Sequence, residues 1–154
     1  KEFAASLLRF EDIEQTRNDV WYAAYRQAEE AMKPEIKAMS RLSQWILHHT
    51  PWRLLGKDRQ KNFRYLQKHL RDIALIQDAV PFGFPIQVKN RDNIIKKLHA
   101  KKIFAAIHWP NLPSSAKAFP FEHQMAKSIL TLPCDHRYTE EEMQHIVLEL
   151  RKIL

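Results

Sequence analysis

The first half of the chain repeats apolar side chains at the period of an α-helix. Residues 2–32 place an aromatic or aliphatic residue about every 3.6 positions, which predicts a long amphipathic helix ending before Pro34. A second predicted helix runs from just after Pro34 to Thr50. A third spans residues 57–76, with Asp58 as its N-cap. The pattern therefore predicts three helices in succession.

A different pattern begins after Asp78, where short apolar runs alternate with amphipathic segments. The runs predict strands at residues 84–88, 103–109 and 130–134. The first of them lies beside two prolines, which is typical of an edge strand. The amphipathic segments predict a helix after Asn90, the expected N-cap, that runs to Ala100, and a short helix over residues 121–129.

The last helix carries the clearest local signal. Thr139 and Glu142 have the spacing of a capping box, in which a Thr side chain and a Glu three residues later satisfy each other's free backbone N–H groups. Acidic residues follow at the positive end of the helix dipole, and Arg151 and Lys152 stand at its negative end. The expected buried stripe consists of Met143, Ile146, Val147 and Leu150.

These elements predict an α/β (α+β) fold, in which three N-terminal helices precede a small, mostly antiparallel sheet of about three strands with covering helices. Residues 1–78 are the helical part and residues 79–154 the α/β part of one predicted domain. A chain of 154 residues with 45% hydrophobic content is long enough to bury one core. Because no apolar run reaches about 18 residues, we expect no transmembrane helix.

Cysteine, glycine and the first residue narrow the class of protein. A single cysteine, Cys134, excludes an internal disulfide framework and fits a reducing compartment, so we expect a cytoplasmic protein. Neither Gly56 nor Gly83 stands in a phosphate-binding glycine motif. The chain begins with Lys1 rather than Met, which suggests a piece of a longer protein.

The net charge of +7 raises the hypothesis of nucleic-acid binding. The densest basic run, residues 57–71, has its cations at helical spacing opposite an apolar stripe. That arrangement is typical of a solvated helix face, and no known nucleic-acid-binding motif accompanies it. The charge distribution therefore argues against a nucleic-acid partner.

Six blocks in a fixed order resemble one enzyme family. They are residues 38–44 (AMSRLSQ), 59–66 (RQKNFRYL), 81–86 (PFGFPI), 90–92 (NRD), 107–110 (IHWP), and 132–133 (LP) followed by 138–141 (YTEE). In this order, with the predicted elements between them, they are similar to the C-terminal small domain of fold-type-I aminotransferases that depend on pyridoxal phosphate (PLP). The nearest group is the DegT/DnrJ/StrS sugar aminotransferases.

The resemblance implies a two-domain parent protein that binds PLP. In such enzymes the large N-terminal domain holds the Schiff-base lysine, the acidic partner of the pyridinium nitrogen and most of the phosphate site. The small domain closes over a small-molecule substrate, such as a nucleotide-linked sugar, and helps to form a homodimer. No catalytic or cofactor-binding residue carries over to this chain, so we expect it to bind no PLP and to be inactive alone. The first helix would be the connector, with Trp21, Tyr22 and Tyr25 packed on the missing large domain.

The candidate substrate-binding residues are His108, Trp109 and Arg137. The first two end a predicted strand before a loop, a segment that faces the substrate entrance in the resembled family. A histidine there can bind a carboxylate or phosphate, and the indole can stack on a sugar or base. The alternative is that Trp109 and Pro110 only close the strand while His108 makes a local hydrogen bond. Arg137 precedes the last helix and either binds an anion or only covers the surface.

Other reactive residues receive ordinary structural interpretations. His48 and His49 are adjacent, so they point in different directions on a helix and predict no metal site. Asp135 and His136 have no nucleophile placed beside them. Cys134 follows a strand, where an inert buried thiol is expected.

Two classes of function follow from the sequence. The first is a piece of a PLP-dependent sugar aminotransferase, contributing closure and dimer contacts. The alternative is a non-catalytic basic module that binds an anionic ligand or nucleic acid, and its binding would have to survive moderate salt.

Overall fold

The computed structural model describes residues 7–9, 11, 18–32, 36, 38–75 and 80–154. The chain divides into two compact units, Lys1–His49 and Thr50–Leu154. The division falls before the residue 78/79 boundary expected from sequence, and the assignment of one domain over residues 1–154 stays a prediction.

The described part of the first unit includes the helices α1 (Asn18–Glu30) and α2 (Arg41–His49), and residues 7–9 are also helical. Most of the predicted helix before Asn18, together with Pro34, lies outside the described residues. Helix α2 begins later than expected because Ser40 acts as its cap, with Ser40 Oγ accepting a hydrogen bond of 3.1 Å from the Ser43 amide. No side chain of α2 is buried within the described residues.

The second unit opens with α3 (Trp52–His69), whose position corrects the prediction of residues 57–76. Pro51 directly precedes the helix, and its carbonyl accepts from the Leu54 amide at 2.9 Å. Proline suits a helix start because it lacks the N–H that would have no partner there. Asp58 lies inside the helix, so its prediction as N-cap is wrong. The helix ends early because Ala74 turns to pair with Ile86 of the sheet.

The sheet has two antiparallel strands in the described residues, β1 (Phe84–Gln87) and β2 (Ile129–Leu132). Phe84 pairs with Leu132 and Ile86 with Leu130, and all four side chains are buried on one face. The α+β class with a small antiparallel sheet is therefore confirmed, while its detail differs from the prediction.

The predicted third strand at residues 103–109 is wrong. Only Ala106 pairs with β2, through two hydrogen bonds of 2.9 Å to Thr131. At its start the segment is still bonded to the preceding helix, since the Ile103 amide donates to the Leu98 carbonyl and Lys102 has a φ of 60°. At its end Pro110 has no N–H to donate. These constraints leave the segment one isolated bridge rather than a strand.

Two helices connect the strands, α4 (Arg91–Ala100) and α5 (Pro120–Ser128). Both match their predicted extents closely. Asn90 precedes α4 as expected, but it has a φ of 54° and its side chain makes no capping bond. Arg91 donates to the carbonyl of Ala126, which ties α4 to the end of α5.

The last helix, α6 (Glu140–Ile153), confirms the capping box. The Thr139 amide donates to Glu142 Oε2 at 2.7 Å, and the Glu142 amide donates to Thr139 Oγ1 at 3.4 Å. Helix α6 packs against α3 and α4, and α4 packs against β2. The core holds Phe63, Leu66, Leu70, Phe84, Ile86, Leu98, Leu130, Leu132, Met143, Ile146 and Leu150, with Val147 partly buried against it. None of the described helices combines the length and the apolar character needed to cross a membrane.

Candidate functional site

The segment before β1 approaches β2 very closely at Gly83. A Cβ atom at this position would collide with Thr131 Cγ2 and lie 3.2 Å from the Leu132 carbonyl oxygen. Glycine suits this position because of the close approach to β2. Backbone conformation is not the reason, because the φ of Gly83 lies outside the left-handed region. This close approach also sets the position of Phe82, the residue that precedes Gly83 in the chain.

Phe82 forms an aromatic pair with His108. The ring centroids are 5.6 Å apart and the planes meet at 65°, an edge-to-face arrangement. Phe82 keeps 79% of its surface accessible, and His108 is also exposed. Trp109 follows immediately and is 71% exposed. Phe82 and His108, with Trp109 as the next residue along the chain, form an exposed aromatic surface on which a flat or apolar group can pack.

Arg137 is held by a neighbouring carboxylate. Its Nε and Nη2 donate to the two carboxylate oxygens of Asp135 at 2.9 and 2.7 Å, and its backbone amide donates to Asp135 Oδ1 at 3.0 Å. These hydrogen bonds lower the pKa of Asp135 against the opposing effect of burial, and the charge of Arg59 adds to the lowering. The guanidinium predicted to bind an anion therefore already faces one within the chain.

Helix α3 contacts the backbone of two segments, the one that carries Phe82 and the one that carries Arg137. Arg59 Nη1 donates to the carbonyls of Pro81 and Phe82 at 3.2 and 3.1 Å. One turn later, Asn62 Nδ2 donates to the carbonyls of Asp135 and Tyr138, both at 2.9 Å. Sequence reasoning missed Phe82, Arg59 and Asn62 as parts of the site. Only their place inside the blocks PFGFPI and RQKNFRYL marked them.

The remaining reactive residues have structural surroundings. His49 Nδ1 lies 2.7 Å from the Trp45 carbonyl and its ring stacks on that indole. Burial raises the pKa of the Cys134 thiol to about 11, as expected of an inert thiol. His136 Nδ1 is buried without a hydrogen-bond partner. Across the described ranges no group of three or more His, Cys, Asp or Glu side chains could hold a metal ion.

A separate open cleft of about 530 Å³ lies between α3 and α6. Its lining is polar, and Lys61 and Glu140 pair across it at 3.2 Å. The residues that line it are Lys61, Tyr65, Thr139, Glu140, Glu141 and Gln144. None of the three predicted site residues belongs to this cleft.

The described residues alone do not fit PLP. A Schiff-base lysine needs an enclosed site that orients and desolvates its amine. Every lysine in the described part of the chain is at least partly exposed, and Lys61, which lines the cleft, is already paired with Glu140. A PLP site would therefore require residues from outside this group.

The chain resembles known proteins in its fold. No family model and no curated protein matches the chain. Solved structures do match. The chain shares its fold with part of the sugar aminotransferases. A putative sugar aminotransferase from Streptococcus pneumoniae, Spr1654, in its PMP-form matches 73% of this chain with a TM-score of 0.62 at 16% identity, and the match spans 33% of that protein.

Two further structures agree. The sugar aminotransferase CalS13 from Micromonospora echinospora matches 71% of this chain with a TM-score of 0.59 at 17% identity. A DegT DnrJ EryC1 StrS aminotransferase from Brucella abortus matches 72% with a TM-score of 0.56 at 18% identity. Each match again spans 33% of the solved chain. The resemblance to sugar aminotransferases is thus confirmed as a shared fold, over about a third of the length of these proteins.

Proposed function

We propose that this chain is the small domain of a PLP-dependent sugar-aminotransferase-like protein and is inactive alone. The observation that supports the proposal most is the fold match, which recurs in several sugar aminotransferases and spans 33% of each. A chain with this fold and without an enclosed lysine among its described residues suits a closing role better than a catalytic one. The parent protein would be a cytoplasmic homodimer.

The aromatic surface is the part that we assign to the substrate. Phe82 and His108 are in edge-to-face contact at the surface, which restrains the orientation of the imidazole, and the exposed Trp109 is the next residue along the chain. An aromatic ring packs on the apolar face of a sugar or on a base, while the imidazole can donate to a carboxylate or phosphate oxygen. A nucleotide-linked sugar offers all of these groups, so this surface would close over such a substrate.

Arg137 would take part in anion binding only through competition with Asp135. The internal salt bridge uses Nε and Nη2, the side of the guanidinium that best matches a carboxylate or phosphate. An incoming phosphate must displace Asp135 or approach Nη1. We therefore assign Arg137 a secondary role, below that of His108.

In the parent protein PLP would be held by residues outside this chain. When bound, PLP supplies an electron sink for the amino-group carbon of the donor and acceptor. The residues described here would exclude water from the substrate and orient it through His108 and the neighbouring rings. They hold no atom that we assign to the transfer step itself.

The test is borohydride reduction of the parent protein, followed by peptide mass spectrometry. We expect PLP absorbance in the parent and a reduced pyridoxyl group on a lysine outside these 154 residues. The 154-residue chain, treated identically, is the control and should acquire no site-specific adduct. A parent protein with neither PLP absorbance nor an adduct would contradict the proposal.

The basic-module alternative rests on exposed positive charge near the end of α4. Lys96, Lys97, Lys101 and Lys102 are all exposed, and among them Lys101 faces Glu149 at 3.7 Å. Binding to heparin that persists at about 0.15 M salt would favour this function, because screening removes weak attraction between exposed charges. Loss of retention below that salt concentration would leave the small-domain proposal as the better account.

A further inference from the structure

Arg59 is the first of two α3 residues whose hydrogen bonds go to loop backbone rather than to other side chains. One nitrogen, Nη1, donates to the adjacent carbonyls of Pro81 and Phe82. A single donor bridging two successive carbonyls restricts the rotation of the peptide unit between them. That peptide unit joins Pro81 to Phe82, so the contact fixes the direction in which the Phe82 side chain leaves the backbone.

Asn62 makes a similar contact with the turn that carries Arg137. The residue is only 3% exposed, and Nδ2 donates to the carbonyls of Asp135 and Tyr138. An unsatisfied buried amide would be unfavourable, so the two bonds are needed for Asn62 to be buried at all. They close the turn that carries Arg137, and the Asp135 side chain then holds the guanidinium from within that turn.

The two residues are spaced one helical turn apart and therefore lie on the same face of α3. Phe63, beside them, packs its ring 5.0 Å from Phe84 of β1, so the helix is anchored on the sheet at the same level. A rigid helix with a buried anchor is a suitable base for holding two loops in one arrangement.

We propose that Arg59 and Asn62 are positioning residues for the candidate substrate-binding side chains, Phe82 with His108 and Arg137. Arg59 holds the segment carrying Phe82 so that the ring stays against His108, and Asn62 holds the turn carrying the Asp135–Arg137 pair. This inference rests on the proposed function for its significance to a substrate. The positioning itself concerns the chain alone and can be measured without any ligand.

The experiment records the His108 ring signals by NMR in the 154-residue chain and in Arg59→Gln, Arg59→Lys and Arg64→Gln. We expect Arg59→Gln to move the His108 signals because the Phe82 ring no longer keeps its place beside the imidazole. Arg59→Lys should restore part of the shift, since an ammonium group can still donate to both carbonyls. Arg64 is exposed on the same helix, so Arg64→Gln removes the same charge and should leave the signals in place.

Asn62→Leu tests the contact with the turn that carries Arg137, because leucine has a similar shape and no hydrogen-bond donor. We expect it to move the Arg137 Nε–H signal while the amide signals of α6 stay near their wild-type positions. A His108 signal unchanged in Arg59→Gln, or moved equally by Arg64→Gln, would overturn the inference. So would an Arg137 signal unchanged in Asn62→Leu.

A second measurement separates this inference from the proposed function. UDP-glucose, a nucleotide-linked sugar, is titrated into the parent protein and into its Arg59→Gln variant. We expect the affinity to fall by about fivefold to tenfold, as for the loss of one hydrogen-bonded contact. If the wild-type parent fails to bind UDP-glucose while Arg59→Gln still moves the His108 signals, the proposed substrate class fails and the positioning role stands. If the wild-type parent binds and Arg59→Gln binds equally well, the positioning of a substrate surface is contradicted.

Discussion

The two units of the chain differ in whether their described residues bury a shared core, although both units expose large apolar side chains. In Thr50–Leu154 the helices and both strands bury a shared core, and leucines such as Leu66 are wholly inaccessible. In Lys1–His49 the described helices keep large apolar side chains in contact with water, and α2 buries none of its residues. Exposed apolar surface of this extent is typical of an interface. The second unit thus has a core of its own, and we expect the described helices of the first unit to be covered in the parent protein.

The largest expected effect compares one leucine from each unit. Leu66→Ala removes a fully buried side chain and should lower the free energy of unfolding by about 2–5 kcal/mol. Leu42 is 63% exposed, so Leu42→Ala should change it by less than about 0.5 kcal/mol. Urea unfolding of the 154-residue chain measures both. Equal losses in the two variants would break the distinction between the units.

The next effect compares the two glycines, which both lie in the second unit. Gly83→Ala forces a methyl group onto Thr131 and should destabilise the chain by about 1–3 kcal/mol. Gly56 lies inside α3, where a Cβ would meet Val80 Cγ1 at an ordinary 3.8 Å, so Gly56→Ala should stabilise it by about 0.4–1 kcal/mol. Thermal unfolding should give shifts of opposite sign. A neutral Gly83→Ala would show that the close approach to Thr131 is easily relaxed.

A smaller effect concerns pH and the Asp135–Arg137 pair. Because hydrogen bonds from Arg137 lower the pKa of Asp135 in the folded chain, the unfolded chain binds the proton more readily. The resulting stability is present above the ordinary pKa near 3.8 and is lost as the pH falls through the lower folded value. We expect a contribution of about 0.5–1 kcal/mol.

Asp135→Asn is the control for that prediction. It should lower the free energy of unfolding at neutral pH and remove the loss of stability that Asp135 causes on acidification. Urea unfolding at a series of pH values measures both effects. If wild type and Asp135→Asn lose stability in parallel on acidification, Arg137 does not stabilise the ionised carboxylate.

The same variant gives the smallest expected effect, on anion binding. Removal of the negative charge frees the guanidinium, so inorganic phosphate should bind Asp135→Asn about threefold more tightly than wild type, as for a modest surface charge pair. Combining Arg137→Gln with Asp135→Asn in one chain should abolish the gain. NMR titration, followed by the Arg137 Nε–H signal where the arginine is present and by neighbouring amide signals in the double variant, measures it. An unchanged affinity in Asp135→Asn would remove Arg137 from the candidate site.

Local signals in the sequence predicted the fold best. The capping box at Thr139 was predicted correctly because both partners lie within one helical turn. The start of α3 was missed because the conformation set by Pro51 outweighed the capping preference of Asp58. The strand predicted at residues 103–109 failed because its pairing depends on a distant partner and on how the chain leaves α4.

For the candidate site too, local features could be predicted from the sequence and contacts between distant residues could not. His108 and Trp109 could be proposed from their place before a loop, and both lie at the surface of the structure. Phe82 could not, because its partner His108 is remote in sequence. Arg59 and Asn62 bind backbone carbonyls, which every residue type provides, so nothing in the sequence of the loops identifies their partners.

The most direct test of the central proposal, that this chain is part of a larger protein, is amide hydrogen exchange in the 154-residue chain and in the proposed parent. We expect Asn18–Glu30 and Arg41–His49 to exchange much more slowly in the parent, because its large domain or partner subunit covers them, while the core helix Glu140–Ile153 exchanges alike in both. Equal exchange of the first unit in the two proteins would contradict the account.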